Sequence, residues 1–225
     1  MIKSLVLAGF CLFFATSLVL AGTWNDDFED AAFTQKAWEI KQGDWEIKDG
    51  WWEAFSPSTG KGCFAILPEI ETHDGLTMEV TEKDMGGGWQ NGYIIFAYVS
   101  DTEIYYAGAR IGRGKWSIEK SALAGGEQNF GDIPDGRIKA GGVVIPRYKV
   151  AIEGKDVVIY TDGNKEQVRA SFPKMPVGRV GLANENTTTR FDDFVASGPK
   201  VKSGGKFALE PAGNLVTCWG NIKAR

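Results

Sequence analysis

A glycine-rich segment of this 225-residue chain carries side chains whose chemistry suits the recognition of sugars. Residues 86–92 read GGGWQNG, so the indole of Trp89 stands beside the amides of Gln90 and Asn91. An aromatic face can stack on the C–H surface of a sugar ring, while amides orient its hydroxyl groups. Because loops on a rigid scaffold often carry function, we expect a ligand-binding loop here, with packing of Trp89 in the core as the alternative.

Two strands predicted after that loop could extend the same surface. Residues 104–111 and 116–120 read as a strand pair separated by the turn GRGK. Tyr106 and Arg110 are four positions apart and therefore share one face of a strand. We expect Tyr106, Arg110 and Trp116 to line the ligand surface, although most tryptophans of a β-sandwich of this size are core residues.

Acidic clusters stand near both ends of the predicted β domain. Residues 26–30 read DDFED, and FDDF at residues 191–194 lies within residues 178–198, which read as two strands around a polar turn. Carboxylates grouped in this way can bind a hard cation. They can also stay solvated, or accept hydrogen bonds from N–H groups at strand ends. The question that follows is whether the two ends of the domain meet.

Few residues of the sequence could carry out catalysis. The single histidine, His73, is followed by Asp-Gly and is typical of a turn, and without a second histidine or a cysteine cluster a zinc site is not expected. No serine stands in a nucleophile-elbow motif. Cys63 and Cys218 could form a disulfide in an oxidising compartment, or could remain separate buried thiols, because the sequence gives no distance between them.

The amino terminus predicts export from the cell. Lys3 precedes an apolar run at residues 5–20, and Val19 and Ala21 are the small residues expected before a cleavage site. We predict a signal peptide at residues 1–21 and a secreted protein, extracellular or periplasmic, with a membrane anchor as the alternative. Cleavage would leave 24 Lys+Arg against 29 Asp+Glu, a balance that favours no nucleic-acid partner and no anionic membrane.

The rest of the chain reads as a succession of short β-strands, so the predicted fold class is all-β. An Asp-Gly turn at residues 49–50 joins two strands, residues 93–99 are almost continuously apolar, and residues 147–160 alternate around a further turn. No window shows the 3.6-residue apolar period of a helix. We predict a two-sheet antiparallel sandwich at residues 22–198, and a linker and tail at residues 199–225 that pack on it or dock elsewhere.

Several short segments, taken in their order along the chain, carry a family resemblance. They are DFED at residues 27–30, Trp38 with GDWEIKDG at 43–50, NGY at 91–93, YKVAI at 148–152 with YTDG at 160–163, and GRVGL at 178–182 leading to FDDF at 191–194. Together they resemble the concanavalin A-like lectin/glucanase superfamily, in its laminin-G-like and 3-keto-disaccharide hydrolase-like branches. The resemblance covers roughly residues 26–197 and implies a jelly roll of two curved sheets with the terminal strands side by side.

The resemblance also implies a structural Ca²⁺ site. Many members of the superfamily hold this ion between the last strand, an early Asp-Gly turn and the amino terminus. Carried over by position, the implied ligands are Asp192, the carbonyl of Gly50, and Glu29 or Asp30. The ion would stabilise the folded state, because it would bind that state alone.

The catalytic motifs of the superfamily are incomplete in this sequence. The glucanases carry their carboxylates on one strand as Glu-x-Asp-x-x-Glu, and this motif is absent. Residues 90–96 resemble the strand entry of the 3-keto-disaccharide hydrolases, but the serine and the first glycine of that entry are replaced. A catalytic function would therefore need other residues.

The prediction is a non-catalytic module for glycan recognition or extracellular adhesion, and two other functions stay open. A sugar hydrolase would show two or more convergent acids near Arg110, one of them with a strongly raised pKa. A plain structural scaffold would show a flat concave sheet with no exposed aromatic cluster. The lining of that sheet face therefore distinguishes the three functions.

Overall fold

The computed structural model describes residues 21–56, 62–121, 127–139, 141–142 and 144–206, and only the backbone of residues 87–90 and 186. The strands and the single α-helix of these residues are β1 (Gly22–Asp26), α1 (Ala31–Ala37), β2 (Glu39–Gln42), β3 (Asp44–Lys48), β4 (Trp51–Phe55), β5 (Gly62–Glu71), β6 (Thr77–Ser100), β7 (Glu103–Arg110), β8 (Lys115–Lys120), β9 (Gln128–Pro134), β10 (Val144–Glu153), β11 (Asp156–Thr161), β12 (Lys165–Ser171), β13 (Arg179–Gly198) and β14 (Gly204–Gly205). Residues 1–20 of the predicted signal peptide and residues 207–225 of the predicted tail lie outside the described residues.

Two layers of mostly antiparallel strands form a sandwich, which confirms the predicted all-β class. The first sheet runs β12-β11-β10-β6-β13-β1-β14, and in this sheet β4 also pairs with residues 188–191 of β13 and carries β3 on its other side. The second sheet runs β2-β5-β13-β6-β7-β8-β9. Strands β6 and β13 belong to both sheets because they are long and pair with each other from Arg179 opposite Tyr98 to Ser197 opposite Thr77. These two strands therefore join the layers.

Two segments of β6 and β13 differ from the sequence prediction. Residues 86–92 were expected to form a loop, and residues 178–198 two strands around a turn, yet both lie within continuous strands. The β6–β13 pairing shifts register between Glu185 and Thr189, where the two strands pass from one sheet to the other. Because each strand is the other's partner, the backbone stays hydrogen-bonded across these irregularities, and polar or glycine residues do not end the strands.

The first and last strands of the domain lie side by side, as the resemblance implied. Strand β1 pairs with the end of β13, so that Asp26 stands opposite Phe194. Phe28 is fully buried, and its ring centroid lies 5.9 Å from that of Trp38 and 5.2 Å from that of Trp52. Strand β14, which belongs to the predicted tail, adds a parallel partner to β1.

The predicted hairpin at residues 49–50 is confirmed. Lys48 pairs with Trp51, and the two turn residues Asp49 and Gly50 have φ angles of 54° and 75°. Positive φ at both central positions is the geometry that Asp-Gly favours in a two-residue hairpin turn. This local sequence signal was therefore sufficient to predict both the turn and the pairing of β3 with β4.

Side chains of the two sheets share a core, and a second apolar cluster lies on the outer face of the second sheet. On β8, Trp116 and Ile118 point into the shared core and are fully buried. The outer cluster consists of Phe64, Ile66, Tyr93, Ile95, Tyr98, Ile104, Tyr106 and Ala183. Residues 93–98 are therefore buried on both faces, as predicted, whereas Val99, the last residue of the predicted run, is exposed.

A short helix, α1, is an element that the sequence did not predict. Asp30 caps it, since its carboxylate accepts hydrogen bonds from the backbone N–H groups of Ala32 and Phe33, both at 3.1 Å. Seven residues are too few to show a clear helical period. Within the described parts of the chain, no helix is long and apolar enough to cross a membrane.

Candidate functional site

The outer face of the second sheet carries polar side chains that we call the outer-face cluster. On β8, Ser117 and Glu119 point to this face because Trp116 and Ile118 point into the core. The neighbouring strands β7, β6 and β13 lie in that order beside β8. The cluster consists of Tyr93, Tyr106, Arg110, Ser117, Glu119, Glu127 and Glu185.

Arg110 links two carboxylates of the cluster. Its Nη1 donates to Glu119 Oε1 at 3.0 Å and to Glu127 Oε1 at 2.7 Å, so these two oxygens are at most 5.7 Å apart. Glu119 is only 2% exposed, whereas the side chain of Glu127 is 43% exposed. One guanidinium therefore holds a buried acid and a surface acid together.

Glu185 is held by neutral donors. The Tyr106 hydroxyl donates to Glu185 Oε1 at 3.0 Å, and the Ser121 hydroxyl donates to the same oxygen at 2.8 Å. The ring of Tyr106 stacks on that of Tyr93, with centroids 4.0 Å apart. Within the described structure no cationic side chain bonds to Glu185, which is 6% exposed, so its charge is not compensated by a direct ion pair.

Three buried polar atoms of the cluster have no hydrogen-bond partner among the described residues. They are the Tyr93 hydroxyl, Ser117 Oγ and Arg110 Nε. Ser117 Oγ lies near enough to the Tyr93 hydroxyl and the Glu119 carboxylate to oppose the rise of their pKa values, but it reaches neither with hydrogen-bond geometry. Buried polar groups are normally paired, so three unpaired groups on one sheet face call for an explanation.

Burial raises the pKa of both buried carboxyls of the cluster. For Glu119, burial outweighs the opposing effect of Arg110. For Glu185, burial outweighs the hydroxyls of Ser121 and Tyr106, and the nearby acids Glu119 and Glu127 raise its pKa further. Burial likewise raises the pKa of Tyr93, so its hydroxyl stays protonated and can donate as well as accept.

The structure places the predicted ligand residues in different environments. Tyr106 and Arg110 share the outer face, as their spacing predicted, and Asn91 is buried beside Glu185 in the strand pairing. Trp116 does not belong to this surface: it is fully buried in the core, and its indole N–H donates to Asp135 at 2.9 Å. The strand alternation that places Ser117 outward is what turns Trp116 inward.

The two other predicted ligand residues are described only by their backbone. Trp89 and Gln90 lie within β6, where the strand passes between the sheets, and their side chains fall outside the described residues. Their contact with a ligand stays a prediction.

Other acidic residues lie near Asp192, one of the predicted calcium ligands. Burial, the neighbouring Asp193 and, more weakly, Asp27 and Glu29 raise the pKa of Asp192 to about 6. Glu29 therefore lies close enough to Asp192 to influence its charge. This acidic surrounding is one that a cation would relieve, and Asp192 and Glu29 are the predicted ligands that fit it.

The remaining predicted calcium ligands fit less well. The Asp30 carboxylate caps α1, and Gly50 lies in the β3–β4 turn, where Asp49 forms an ion pair with Arg190 at 3.2 Å. In the described part of the chain, no group of three or more His, Cys, Asp or Glu side chains has an arrangement that could hold a metal ion. The calcium site stays a prediction, carried by Asp192 and Glu29.

The described cysteine is a buried thiol. Cys63 donates to the carbonyl of Phe55 at 3.1 Å, and burial raises its pKa to about 12. A thiol in this state is a packing group with low reactivity. Cys218 lies outside the described residues, so the Cys63–Cys218 disulfide stays a prediction.

A groove of about 420 Å³ lies apart from the outer-face cluster, at the end of the sandwich. His73 lines it, and its Nδ1 lies 2.7 Å from the carbonyl oxygen of Glu71. Arg179, on the same groove, forms an ion pair with Glu71 at 3.0 Å. No predicted site residue lines this groove, and His73 Nε2 is buried there without a hydrogen-bond partner among the described residues.

Sequence reasoning missed the acids of the outer-face cluster. Glu119 ends the alternating run of β8, Glu127 precedes β9, and Glu185 lies on β13, so no local motif contains them. Only the pairing of β13 with β6, β6 with β7 and β7 with β8 brings them together. One sequence signal was available for Glu119: in the alternating segment KWSIEK of β8, Glu119 and Trp116 point to opposite faces of the strand.

No protein-family model matches this sequence, and no curated protein matches it either. Its structure is similar to several solved structures. The carbohydrate binding module CBM66 from Bacillus subtilis is 19% identical, with a TM-score of 0.56 over 69% of this chain and 92% of that chain. A lichenase (β-1,3-1,4-glucanase) derived from a mouse hindgut metagenome is 16% identical, with a TM-score of 0.55 over 79% of this chain and 99% of that chain.

A third similar structure is a Bacillus subtilis protein of unknown function with a galectin-like fold. It is 10% identical, with a TM-score of 0.60 over 78% of this chain and 96% of that chain. Identities this low support a shared fold alone. With two sheets joined by β6 and β13 and with adjacent terminal strands, the chain has the concanavalin A-like jelly-roll fold that its sequence segments resemble.

Proposed function

We propose that this protein is a secreted carbohydrate-binding module whose outer-face cluster recognises a glycan without cleaving it. The observation that carries the proposal is the gathering of unpaired polar atoms of Tyr93, Ser117 and Arg110 on one sheet face. The likeness in fold to a carbohydrate binding module and to a lichenase supports a carbohydrate as the ligand. The predicted signal peptide at residues 1–21 supports secretion.

A sugar offers the hydrogen-bonding groups that these atoms lack. Each sugar hydroxyl both donates and accepts, so neighbouring hydroxyls could pair with Tyr93, Ser117 and Arg110 together. A buried polar group left unpaired costs about 1–3 kcal/mol. A ligand that pairs several of these groups would recover part of that free energy on binding.

The cluster has an accessible rim and a buried floor. The side chains of Arg110 and Glu127 are 15% and 43% exposed, so a ligand would contact them first. Tyr93 and Ser117 are fully buried and form the floor. A glycan would reach the floor only after the rim side chains move, and an aromatic platform above it would depend on Trp89.

A sugar hydrolase is the second candidate, and one observation favours it. The Glu119 and Glu127 oxygens lie at most 5.7 Å apart, which is compatible with the carboxylate spacing of about 5–5.5 Å in retaining glycosidases. Burial raises the pKa of Glu119, as a general acid requires. Against this function, the Arg110 guanidinium bonds to both acids and lies where the scissile bond would have to enter.

The binding function is tested with the secreted chain, residues 22–225, on a glycan array followed by calorimetry. We expect at least one polysaccharide ligand. Tyr93→Phe, which removes one unpaired hydroxyl, should weaken binding by roughly 1 kcal/mol, and Trp89→Ala should weaken it by about 1–2 kcal/mol if the indole stacks on the sugar. A blank array would instead favour a structural scaffold.

The matched control for Tyr93→Phe is Tyr160→Phe. Tyr160 lies on β11 in the first sheet, and its hydroxyl donates to Glu153 at 2.6 Å. We expect this variant to bind the glycan like the unaltered protein. Equal losses in both tyrosine variants would place the binding site away from the outer-face cluster.

The two candidate functions separate in an assay for new reducing ends. A hydrolase releases reducing sugars from the bound glycan, and Glu119→Gln and Glu127→Gln should each abolish that release while binding persists. A binding module releases none before or after either substitution. Release by the unaltered protein that both variants lose would replace the proposed function by the second candidate.

A further inference from the structure

We propose that the outer-face cluster selects glycans that carry free amino groups and rejects glycans that carry carboxylate or sulfate groups. This inference rests on the proposed function, because it names the class of glycan for the same site. It is carried by the charges and the hydrogen bonds of the cluster.

The cluster has more acids than bases. Glu119, Glu127 and Glu185 contribute three carboxylates, and Arg110 is the single guanidinium that bonds within it. Of the two lysines of β8, Lys115 shares the face of Glu119 but forms an ion pair with Asp132, and Lys120 lies on the other face, over the ring of Tyr105. The cluster is therefore a negatively charged surface among the described side chains.

The one cation of the cluster is already engaged. Arg110 Nη1 bonds to Glu119 and to Glu127, so its charge balances one of the two acids. An anionic sugar would have to displace a carboxylate from this guanidinium and would meet the other acids at close range. In a buried site with a low effective dielectric, such like-charge contacts are strongly unfavourable.

Glu185 and Glu127 are the acids that an ammonium group could compensate. Among the described residues Glu185 accepts from the hydroxyls of Tyr106 and Ser121 and from no cation, and Glu127 reaches the surface beside Arg110. A protonated amine donates up to three hydrogen bonds and carries the missing positive charge. The unpaired hydroxyls of Tyr93 and Ser117 would accept or donate to the remaining sugar hydroxyls.

The test compares three oligosaccharides of equal length by calorimetry at neutral pH, because burial raises the pKa of Glu185 and an acidic buffer would protonate the carboxylate on which the preference rests. They are a β-1,4-glucosamine oligomer, its fully N-acetylated form and an oligogalacturonate. We expect the amine form to bind about tenfold more tightly than the acetylated form, a difference near 1.4 kcal/mol. We expect no measurable binding of the oligogalacturonate, and a preference for the amine that falls as salt is added.

Glu185→Gln shows whether the preference belongs to this site. Glutamine keeps an acceptor for Tyr106 and Ser121 but removes the charge, so the amine form should lose most of its advantage while the acetylated form still binds. Glu166→Gln is the matched control, because Glu166 lies on β12 in the first sheet and pairs with Arg169. Non-specific attraction of a cationic oligomer to an acidic protein would respond equally to both substitutions.

The outcomes separate this inference from the proposed function. Equal binding of the amine and acetylated forms, a preference for oligogalacturonate, or equal responses of the two variants would overturn the selectivity and leave glycan binding in place. Failure of every glycan on the array, together with no binding of these three oligomers, would overturn both.

Discussion

Two regions of this protein bury carboxylates in opposite ways. At the end of β1, Asp26 is fully buried, and three groups donate to it: the N–H of Phe28 at 2.9 Å, the hydroxyl of Thr34 at 2.9 Å and the indole N–H of Trp38 at 3.0 Å. In the outer-face cluster, by contrast, buried acids stand beside polar atoms that have no partner among the described residues.

The difference separates a structural acid from a candidate binding site. Three hydrogen bonds tie β1, α1 and the residue after the helix to one carboxylate, so Asp26 fixes the amino-terminal segment against the core. The outer-face cluster contains polar groups without a hydrogen-bond partner among the described residues. These groups lower the stability of the free protein and are available to a ligand. A fully satisfied network contributes stability, whereas a partly satisfied network is destabilising unless something completes it.

The largest expected effect tests the structural side of this comparison. Asp26→Ala removes the acceptor of three buried donors, so we expect the free energy of unfolding to fall by about 3–5 kcal/mol. Urea denaturation followed by tryptophan fluorescence measures the loss, since Trp38 is one of the donors.

Asp27→Ala is the control for this experiment. Asp27 is next in sequence but partly exposed, and it pairs with Lys206 at 2.9 Å. An exposed ion pair contributes about 0–1 kcal/mol to stability, so the free energy of unfolding of this variant should fall only slightly. Similar losses for the two variants would contradict the assignment of Asp26 as the structural acid.

A second buried acid extends the comparison into the core. Glu82 is fully buried, its Oε2 accepts from the Tyr148 hydroxyl at 3.2 Å, and its Oε1 has no partner among the described residues. Burial, with a further contribution from Asp84, raises its pKa from 4.5 to about 8. The folded state therefore keeps a proton that the unfolded state releases, and rising pH favours unfolding between these two values.

Glu82→Gln should remove this pH dependence. For one such group the slope is about 1.4 kcal/mol per pH unit, so from pH 4.5 to neutral pH we expect the variant to gain on the order of 3 kcal/mol relative to the unaltered protein. Urea titrations at pH values from 4.5 to 8 measure how the free energy of unfolding depends on pH. Because Glu82 faces the core, glycan affinity should not change, and an unchanged slope would mean that the acid ionises without penalty.

The sequence predicted the fold better than the site because fold signals are local. The Asp-Gly turn predicted the hairpin of β3 and β4, and the apolar run at residues 93–99 identified the carboxy-terminal part of β6. Pairing of the terminal strands followed from the resemblance of the segments at residues 27–30 and 191–194. The continuity of β6 and β13 was missed because glycines and polar residues usually end strands, and here each strand supports the other.

The site depends on contacts that no local pattern contains. Tyr106 and Arg110 were predicted correctly to share a face, because that depends on spacing within one strand. Glu185 meets Tyr106 only through the pairing of β13 with β6 and of β6 with β7. Trp116 was assigned to the surface from its residue type, whereas the alternation of β8 decides its direction.

A smaller effect concerns the acids near the predicted calcium site. The pKa of Asp192 is raised to about 6, so without a cation its ionisation costs stability as pH rises from 3.8 to that value. A shift of this size corresponds to about 3 kcal/mol for a fully buried group, but Asp192 is partly exposed and solvent screens its charge, so Asp192→Asn should stabilise the protein at neutral pH by roughly 1 kcal/mol. If Ca²⁺ binds there, the same variant should destabilise it, and a chelator should lower the melting temperature of the unaltered protein by a few degrees.

The sign of the Asp192→Asn effect therefore decides the metal question. Melting curves with added Ca²⁺ and with a chelator, for both proteins, provide the measurement. If Asp192→Asn is more stable than the unaltered protein, and if neither Ca²⁺ nor chelator changes the melting temperature of either protein, then Asp192 does not bind Ca²⁺. Asp192 is then an acid beside a like-charged neighbour. That result would place Asp192 with the uncompensated acids and not with Asp26.

The smallest expected effect is that of Ser117→Ala, which we compare with Thr34→Val at a second fully buried hydroxyl. The Thr34 hydroxyl donates to Asp26 at 2.9 Å, whereas Ser117 Oγ has no partner among the described residues. Thr34→Val, which keeps the side-chain shape, should cost about 1–2 kcal/mol because it breaks a buried hydrogen bond to an acid, while Ser117→Ala should be neutral or stabilising within about 0.5 kcal/mol. Thermal unfolding of both variants gives the difference. If Ser117→Ala costs as much as Thr34→Val, then Ser117 is paired within the folded protein, and the outer-face cluster is a structural network like that of Asp26.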